Sequence, residues 1–327
     1  MQSFLSVTMK LLSLSLWFCL FAAWSLAASA VAQEGFKWEP RKVDGRDYLP
    51  VDQISRFYGL EKPRLLEKEL ILENKRVIMV FEAGSATCFM NGIKFVFRNQ
   101  VKEVQGVAHV SREDLSLMIE PVLRPNHIKD AGDFRTVIID PAHGEKDRGA
   151  VSGLGSAAEY SLAVAKLTAR RLEERGYKVV LTREEDVDRS LQQRLDVANA
   201  VAGNAIFVSI DFGSGPKNKR GIETRTLAHA DREAVELGAA DFGSSSLALA
   251  TSVHSTGTRL LGDHLVDLGV RRSRYAVFAR INHPAIEIKG GFLTHEEESK
   301  LIHSEAYQSA LANGIAHGIL RYRAAVR

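Results

Sequence analysis

The chain is 327 residues long, enough for about two domains of ordinary size. Hydrophobic residues make up 45% and charged residues 25%, which excludes a disordered, collagen-like or coiled-coil chain and predicts folded units with sizeable cores. Forty-three Lys and Arg against 40 Asp and Glu leave a net charge of +3, too small and too dispersed for nucleic acid to be the main partner.

Residues 1–32 carry one charge, Lys10, followed by an apolar run from Leu11 to about Ala28 and then Ala-Ser-Ala-Val-Ala-Gln. A positive end, a hydrophobic stretch and small residues at alternate positions predict a secretory signal cleaved after Ala30 or Ala32, hence export to the periplasm or cell envelope. The apolar run also approaches the length of a bilayer span, so an uncleaved anchor is the alternative, and membrane contact is expected only in that case. Loss of this segment removes Cys19 and leaves Cys88, which has no partner for an internal disulfide.

Residues 36–124 read as a small α+β domain. Apolar positions Ile54, Phe57 and Tyr58 predict a helix over 53–60, ended by Gly59. The runs 76–81 and 94–97 read as strands, the second preceded by the turn pair Asn91-Gly92. Residues 107–110 lead into a helical pattern over 112–119. The phrases "DYLPVDQISRFYGL" and "GVAHVSREDLSLMIEPVL" resemble the copper amine oxidase N-terminal-like stalk domain attached to bacterial cell-wall enzymes. Cys88 and His109 read as core residues, because both types are often buried.

Residues 125–134, with Pro125 and Gly132 among charges, read as a linker, and 135–325 as a second domain. Apolar strands are expected at 136–140, 178–182, 205–210, 221–227, 275–280 and 285–288. Helices are expected at 157–175, 191–202, near 247–268 and at 304–322. Continuous apolar strands alternating with helices predict an α/β fold, a mostly parallel sheet with helices on both faces.

In such sheets, ligands gather where strands end, here at Asp140 to Gly144, Ser209 to Asp211 and Glu287 to Gly291. "TVIIDPAHGEKDRGAV", "GYKVVLTREEDVD", "LQQRLDVANA", "NAIFVSIDF", "GIET" and "HPAIEIKGGFLTHEEE" resemble, in order, the zinc-dependent N-acetylmuramoyl-L-alanine amidases, which cut between muramic acid and the peptidoglycan stem peptide. The resemblance implies a zinc held by two His and a Glu, with a water at an open fourth position and a second Glu as general base.

Transferred residue by residue, the resemblance places His143 at the first ligand position and Asp211 at the third, where the family has His. It places Lys289 at the base position. A protonated ammonium has no lone pair and opposes both proton abstraction and a divalent cation. Gapless alignment puts Ala157 at the second ligand position. Glu159, two residues on, lies about 200° around the helix and would reach a metal only if the helix start slipped. Glu287 shares a strand face with Lys289, deeper in the sheet. Zinc is therefore expected to be absent or weakly held, and a Lys289–Asp211 ion pair to stand in its place, with His143 a turn histidine.

Lys217, Lys219 and Arg220 concentrate positive charge in a loop that is either simply solvated or a contact for peptidoglycan carboxylates. Glu296, Glu297 and Glu298 read as favourable charge at a helix start. His229, His254, His264, His283, His295, His303 and His317 lack metal-motif spacing and read as solvated or packed. No nucleophile-elbow phrase surrounds Ser209, Ser214 or Thr294, which argues against a serine hydrolase. Three readings follow: a catalytically impaired family member that binds or regulates at peptidoglycan, an active zinc amidase with a rearranged site, or a structural envelope protein. The partners expected are peptidoglycan and other envelope proteins.

Overall fold

The computed structural model describes residues 36–129, 131–227, 242–262, 265–273 and 280–327. The expected signal segment, all but the last residue of the strand expected at 275–280, His229 and His264 lie outside them. Contacts divide the chain into Met1–Lys37 and Trp38–Arg327, and every element below belongs to the second unit.

The first strands are β1 (Arg41–Val43), β2 (Arg46–Pro50), β3 (Arg64–Leu66), β4 (Glu69–Glu73), β5 (Ile78–Glu82), β6 (Thr87–Met90), β7 (Ile93–Val96), β8 (Lys102–Val104) and β9 (Val107–Ser111). Helix α1 (Val51–Tyr58) closes on Gly59 at φ 63°. Helix α2 starts at Arg112–Asp114, widens into a π turn over Leu115–Ile119 and finishes at Glu120–Leu123. Asn91 and Gly92, both at positive φ, turn β6 into β7, as their sequence requires. The sequence pattern did not reveal β1, β3, β4, β6 or β8.

The later strands are β10 (Thr136–Pro141), β11 (Val151–Ser152), β12 (Gly155–Ser156), β13 (Lys178–Leu181), β14 (Ala205–Gly213), β15 (Ile222–Leu227), β16 (Asp267–Ser273) and β17 (Ala285–Phe292). The helices are α3 (Ala157–Glu173), α4 (Leu191–Asn199), α5 (Gly243–Leu261), α6 (Glu296–His303) and α7 (Glu305–Ala325). The helix expected over 247–268 ends instead at Leu261. Gly262 takes φ 73°, and the chain re-enters the sheet as β16.

Among the described residues, β13-β10-β14-β17-β15-β16-β7-β6-β5-β4-β3 form one 11-stranded sheet, and β1-β2-β9-β8 a smaller one. The strands β13, β10, β14 and β17 run parallel, as the apolar runs require; β15 is antiparallel to β17, and the N-terminal meander adds antiparallel strands, so the whole sheet is mixed. Every residue of β14 is buried. Its alternate side chains meet different helices. Ile206, Val208 and Ile210 join the core with Val164, Leu172 and Leu247, whereas Phe207 packs with Leu195 and Ala198 of α4.

The linker expected at 125–134 contains a short 3-10 turn, Pro125–His127, and the strands on its two sides meet in the same sheet. Strand β7 pairs in parallel with β16, Phe95 opposite Val270. The Lys94 amide donates to Asp267 Oδ2 at 3.1 Å, and Arg272 Nη2 donates to the Leu117 carbonyl at 2.6 Å. A Cβ on Gly269, at φ 92°, would lie 2.9 Å from the Lys94 carbonyl, so the seam needs glycine there.

Helices α5 and α7 touch through glycines. A Cβ at Gly318 would lie 2.4 Å from Val253 Cα, and one at Gly314 2.8 Å from Gly257 Cα. Gly318→Ala should lower the stability measured by urea unfolding by about 1–3 kcal/mol, the cost of overpacking, while Gly153→Ala, where nothing lies within 4 Å, should change it by less than about 0.5 kcal/mol.

Candidate functional site

Near the end of strand β10 stands Asp140, a buried carboxylate that fixes the loop above it. It accepts from Thr182 Oγ1 at 2.5 Å, Arg194 Nη1 at 2.6 Å and Ser209 Oγ at 3.0 Å. Arg194 also donates to the carbonyls of Pro141 at 2.8 Å and His143 at 2.7 Å. Arg183, equally buried, donates to Pro141, Ala142 and Ala158 carbonyls at 2.8–3.0 Å. Two guanidiniums therefore satisfy carbonyls that a tight turn cannot pair within itself.

The turn holds His143 at φ 61°, unusual for a residue with a side chain. Gly149, at φ 65°, lets the returning loop pass; a Cβ there would lie 2.4 Å from His143 Cδ2. Nδ1 of the imidazole bonds Asp147 Oδ2 at 2.7 Å, and Nε2 lies 3.2 Å from Asp211 Oδ1. The Asp211 hydrogen bond, chiefly, raises the pKa of His143; burial opposes it and Asp147 adds to it. An imidazole between two carboxylates is held as a double donor.

Asp211 is buried near the end of β14, opposite Lys289 of β17 in the parallel register, just before a bulge between Asp211 and Gly213. Its Oδ2 accepts from Lys289 Nζ, and its Oδ1 also accepts the Phe212 amide at 2.7 Å. Burial pushes this carboxyl up, but the His143 hydrogen bond and the Lys289 ammonium outweigh it and hold the pKa below the ordinary carboxylate value.

The charges continue across the sheet. Lys289 Nζ lies 3.8 Å from Glu287 Oε1, and Arg225 Nη1 lies 3.4 Å from Glu287 Oε2. Arg225 also pairs with Glu223, and Arg271 stands 3.7 Å from the same carboxylate. From Asp147 to Arg271 acids and bases alternate, because residues two apart on β15 and β17 share one face. Burial raises the Glu287 pKa to about 7, with Asp211 adding and the Lys289 and Arg225 cations opposing.

The structure thus brings His143, Asp211 and Lys289 together, and leaves Glu159 out. Ser156 caps α3, Ala157 is the first helical residue, and Glu159 Oε2 accepts the Ser156 amide at 2.7 Å in a capping box. The helix start has not slipped, and Glu159 faces Arg148 at 3.5 Å with its side chain about half exposed. Among the described residues no three His, Cys, Asp or Glu side chains are grouped to hold a metal ion. A catalytic zinc takes three protein ligands, and here both imidazole nitrogens face carboxylates while an ammonium occupies one oxygen of Asp211. These residues do not fit that metal.

Beside this cluster, Lys219 Nζ sits 4.5 Å from the centre of the Phe292 ring, while Lys217 and Arg220 are exposed. Glu298 pins the loop. It is buried, and accepts the amides of Gly221 at 2.8 Å and Phe292 at 2.6 Å. Glu298 stands in the first turn of α6, as expected of a helix-start charge, and in addition holds the Gly221 and Phe292 amides beside the end of β17. His254 holds a structural place, buried between Thr224 Oγ1 at 2.9 Å and Asp267 Oδ1 at 2.8 Å, whereas His303 and His317 are exposed.

Residues 137–321 match the family described as Amidase_3, N-acetylmuramoyl-L-alanine amidase. The chain belongs to that family. It is 32% identical over 189 residues to the uncharacterized protein YqiI of Bacillus subtilis, spanning 58% of this chain and 84% of YqiI. It is 27% identical over 226 residues to the N-acetylmuramoyl-L-alanine amidase AmiA of Escherichia coli, spanning 59% and 78%. Against the Bacillus subtilis putative amidase YrvJ, 31% identical, it spans only 33% of the relative. A crystal structure of an N-acetylmuramoyl-L-alanine amidase from Clostridium difficile superimposes with a TM-score of 0.50 at 32% identity, covering 58% of this chain and 97% of that one. The CwlD amidase of Clostridioides difficile, solved in complex with the GerS lipoprotein, gives 0.50 at 25%, covering 57% and 98%.

Replacing Lys289 by Met should cost about 3–5 kcal/mol of unfolding free energy, because Asp211 loses one of its two cations while buried. Adding Asp211→Asn should recover part of that loss, read in a double-mutant cycle by urea unfolding. Glu287 gives a pH signature. Its folded pKa lies above the ordinary glutamate value of 4.5, so its stabilising contribution is complete below 4.5 and lost as pH rises through about 7. His143, also raised, acts in the same direction above 6.5. Urea midpoints should fall from pH 4.5 to 7, and Glu287→Gln should flatten that part of the profile.

Proposed function

We propose that this chain is an exported member of the N-acetylmuramoyl-L-alanine amidase family that has lost efficient hydrolysis and acts in binding or regulation at peptidoglycan. The observation that carries the reading is the Lys289 ammonium on Asp211. In the resemblance Lys289 stands at the general-base position and Asp211 at a zinc-ligand position. A general base must accept a proton and a ligand must offer a lone pair; a protonated lysine does neither, and it takes up one oxygen of Asp211. Ala157 at the second ligand position supplies no donor at all.

Several features support retention of the wall-binding role. The family acts on peptidoglycan, and the loop that carries Lys217, Lys219 and Arg220 is held in place by Glu298 rather than left free. Stem peptides carry carboxylates that such a loop can meet. The leader-like residues 1–32 support export, and the likeness of residues 36–124 to a stalk domain of cell-wall enzymes agrees with an envelope setting. The lipoprotein complex of the related CwlD makes a protein partner a reasonable companion of the same fold.

The purified chain should contain less than about 0.1 zinc per molecule by elemental analysis, because fewer than three ligands converge. It should release no stem peptide from sacculi but co-sediment with them. Lys217→Glu combined with Arg220→Glu should weaken co-sedimentation. Stoichiometric zinc together with peptide release would instead establish an active amidase with a rearranged site, and absence of co-sedimentation would leave a structural envelope role.

A further inference from the structure

A second cavity shares no residue with the His143 cluster. It measures about 620 Å³ and opens between the turn joining β6 to β7, the end of α2 and the paired helices α5 and α7. That size suits a small ligand or a short peptide. Ile93, Val122 and Pro125 make one wall apolar, and Ser255, Arg259 and Arg321 line the helical side.

The two arginines differ from others near them. Arg171 is bound by Asn313 and Ser309, and Arg323 by Asp133. Arg259 and Arg321 are exposed, and among the described residues neither side chain has a hydrogen bond or an ion pair. Their spacing follows from the glycine contacts. Gly318 meets Val253 and Gly314 meets Gly257, so α5 and α7 run antiparallel. Arg321, three residues past Gly318, is level with about residue 250 of α5, and Arg259 lies nine residues further along. At 1.5 Å per residue the backbone positions of the two arginines are offset by about 13 Å along the helix axes.

An extended chain rises about 3.3 Å per residue and turns alternate side chains to opposite sides. Residues four apart therefore lie about 13 Å apart on one side, with the residues second and fourth in the stretch facing the other way. We infer that this cleft binds an extended acidic peptide segment of a partner protein, with two carboxylates four residues apart on Arg259 and Arg321 and the intervening apolar side chains against Ile93, Val122 and Pro125. A saccharide is less well suited, since no exposed aromatic ring lines the cavity; Tyr322, which borders it, is only 2% exposed.

The test uses the full chain and a fluorescein-labelled peptide of sequence Glu-Leu-Ser-Leu-Glu, followed by fluorescence anisotropy. The control peptide Glu-Glu-Ser-Leu-Leu has the same composition and charge, but its carboxylates are adjacent. The first peptide should bind at least about tenfold more tightly than the control, the difference made by one charge-assisted contact. The double variant Arg259→Glu, Arg321→Glu should lose at least that factor with an unchanged thermal midpoint, and Arg259→Lys, Arg321→Lys should retain most of the binding. Equal affinity for the two peptides, unchanged binding by the glutamate variant, inorganic polyphosphate binding as tightly as the first peptide, or no binding at about 1 mM would each overturn the inference.

Discussion

A buried carboxylate must be answered by positive charge, and Asp211 is the point on which the site turns. Asp211, buried near the end of β14, is held ionised by His143 on one side and Lys289 on the other. Taking two charges out of water is costly, and their attraction repays it only with good geometry. That geometry comes from strand register, Asp211 opposite Lys289, rather than from flexible loops. An imidazole and an ammonium contributed by the chain thus occupy a carboxylate that the family resemblance assigns to a metal.

Positioning of His143 is a separate problem, solved beneath it. Asp140 gathers a threonine, a serine and Arg194, and Arg194 with Arg183 takes up the carbonyls of the turn. This buried scaffold makes no use of what binds above it. The turn that presents His143 is therefore held independently of the residues at the rim, such as Lys289.

The α/β core was legible because its central strands β10, β14 and β17 are largely buried on both faces and read as mainly apolar runs. The His143, Asp211 and Lys289 cluster was legible because strand ends are where side chains converge. Three things were not. Strands β3, β4 and β6 are short and partly exposed, so their pattern is weak. The extension of the charge ladder to Glu223 and Arg225 depends on β15 running antiparallel to β17, a pairing that local sequence does not encode. Glu298 looked like one of three helix-start acids, and only the packing of α6 against β17 separates it from Glu296 and Glu297.

The pairing of β7 with β16 also bears on how the chain could be shortened. A truncated chain beginning at residue 125 would open to solvent the edge of β16 that β7 covers at Val270 and Arg271. Unprotected strand borders of that kind recruit other chains. The N-terminal strands therefore act as a built-in shield, and tertiary continuity, rather than a tether, keeps them attached to the amidase fold.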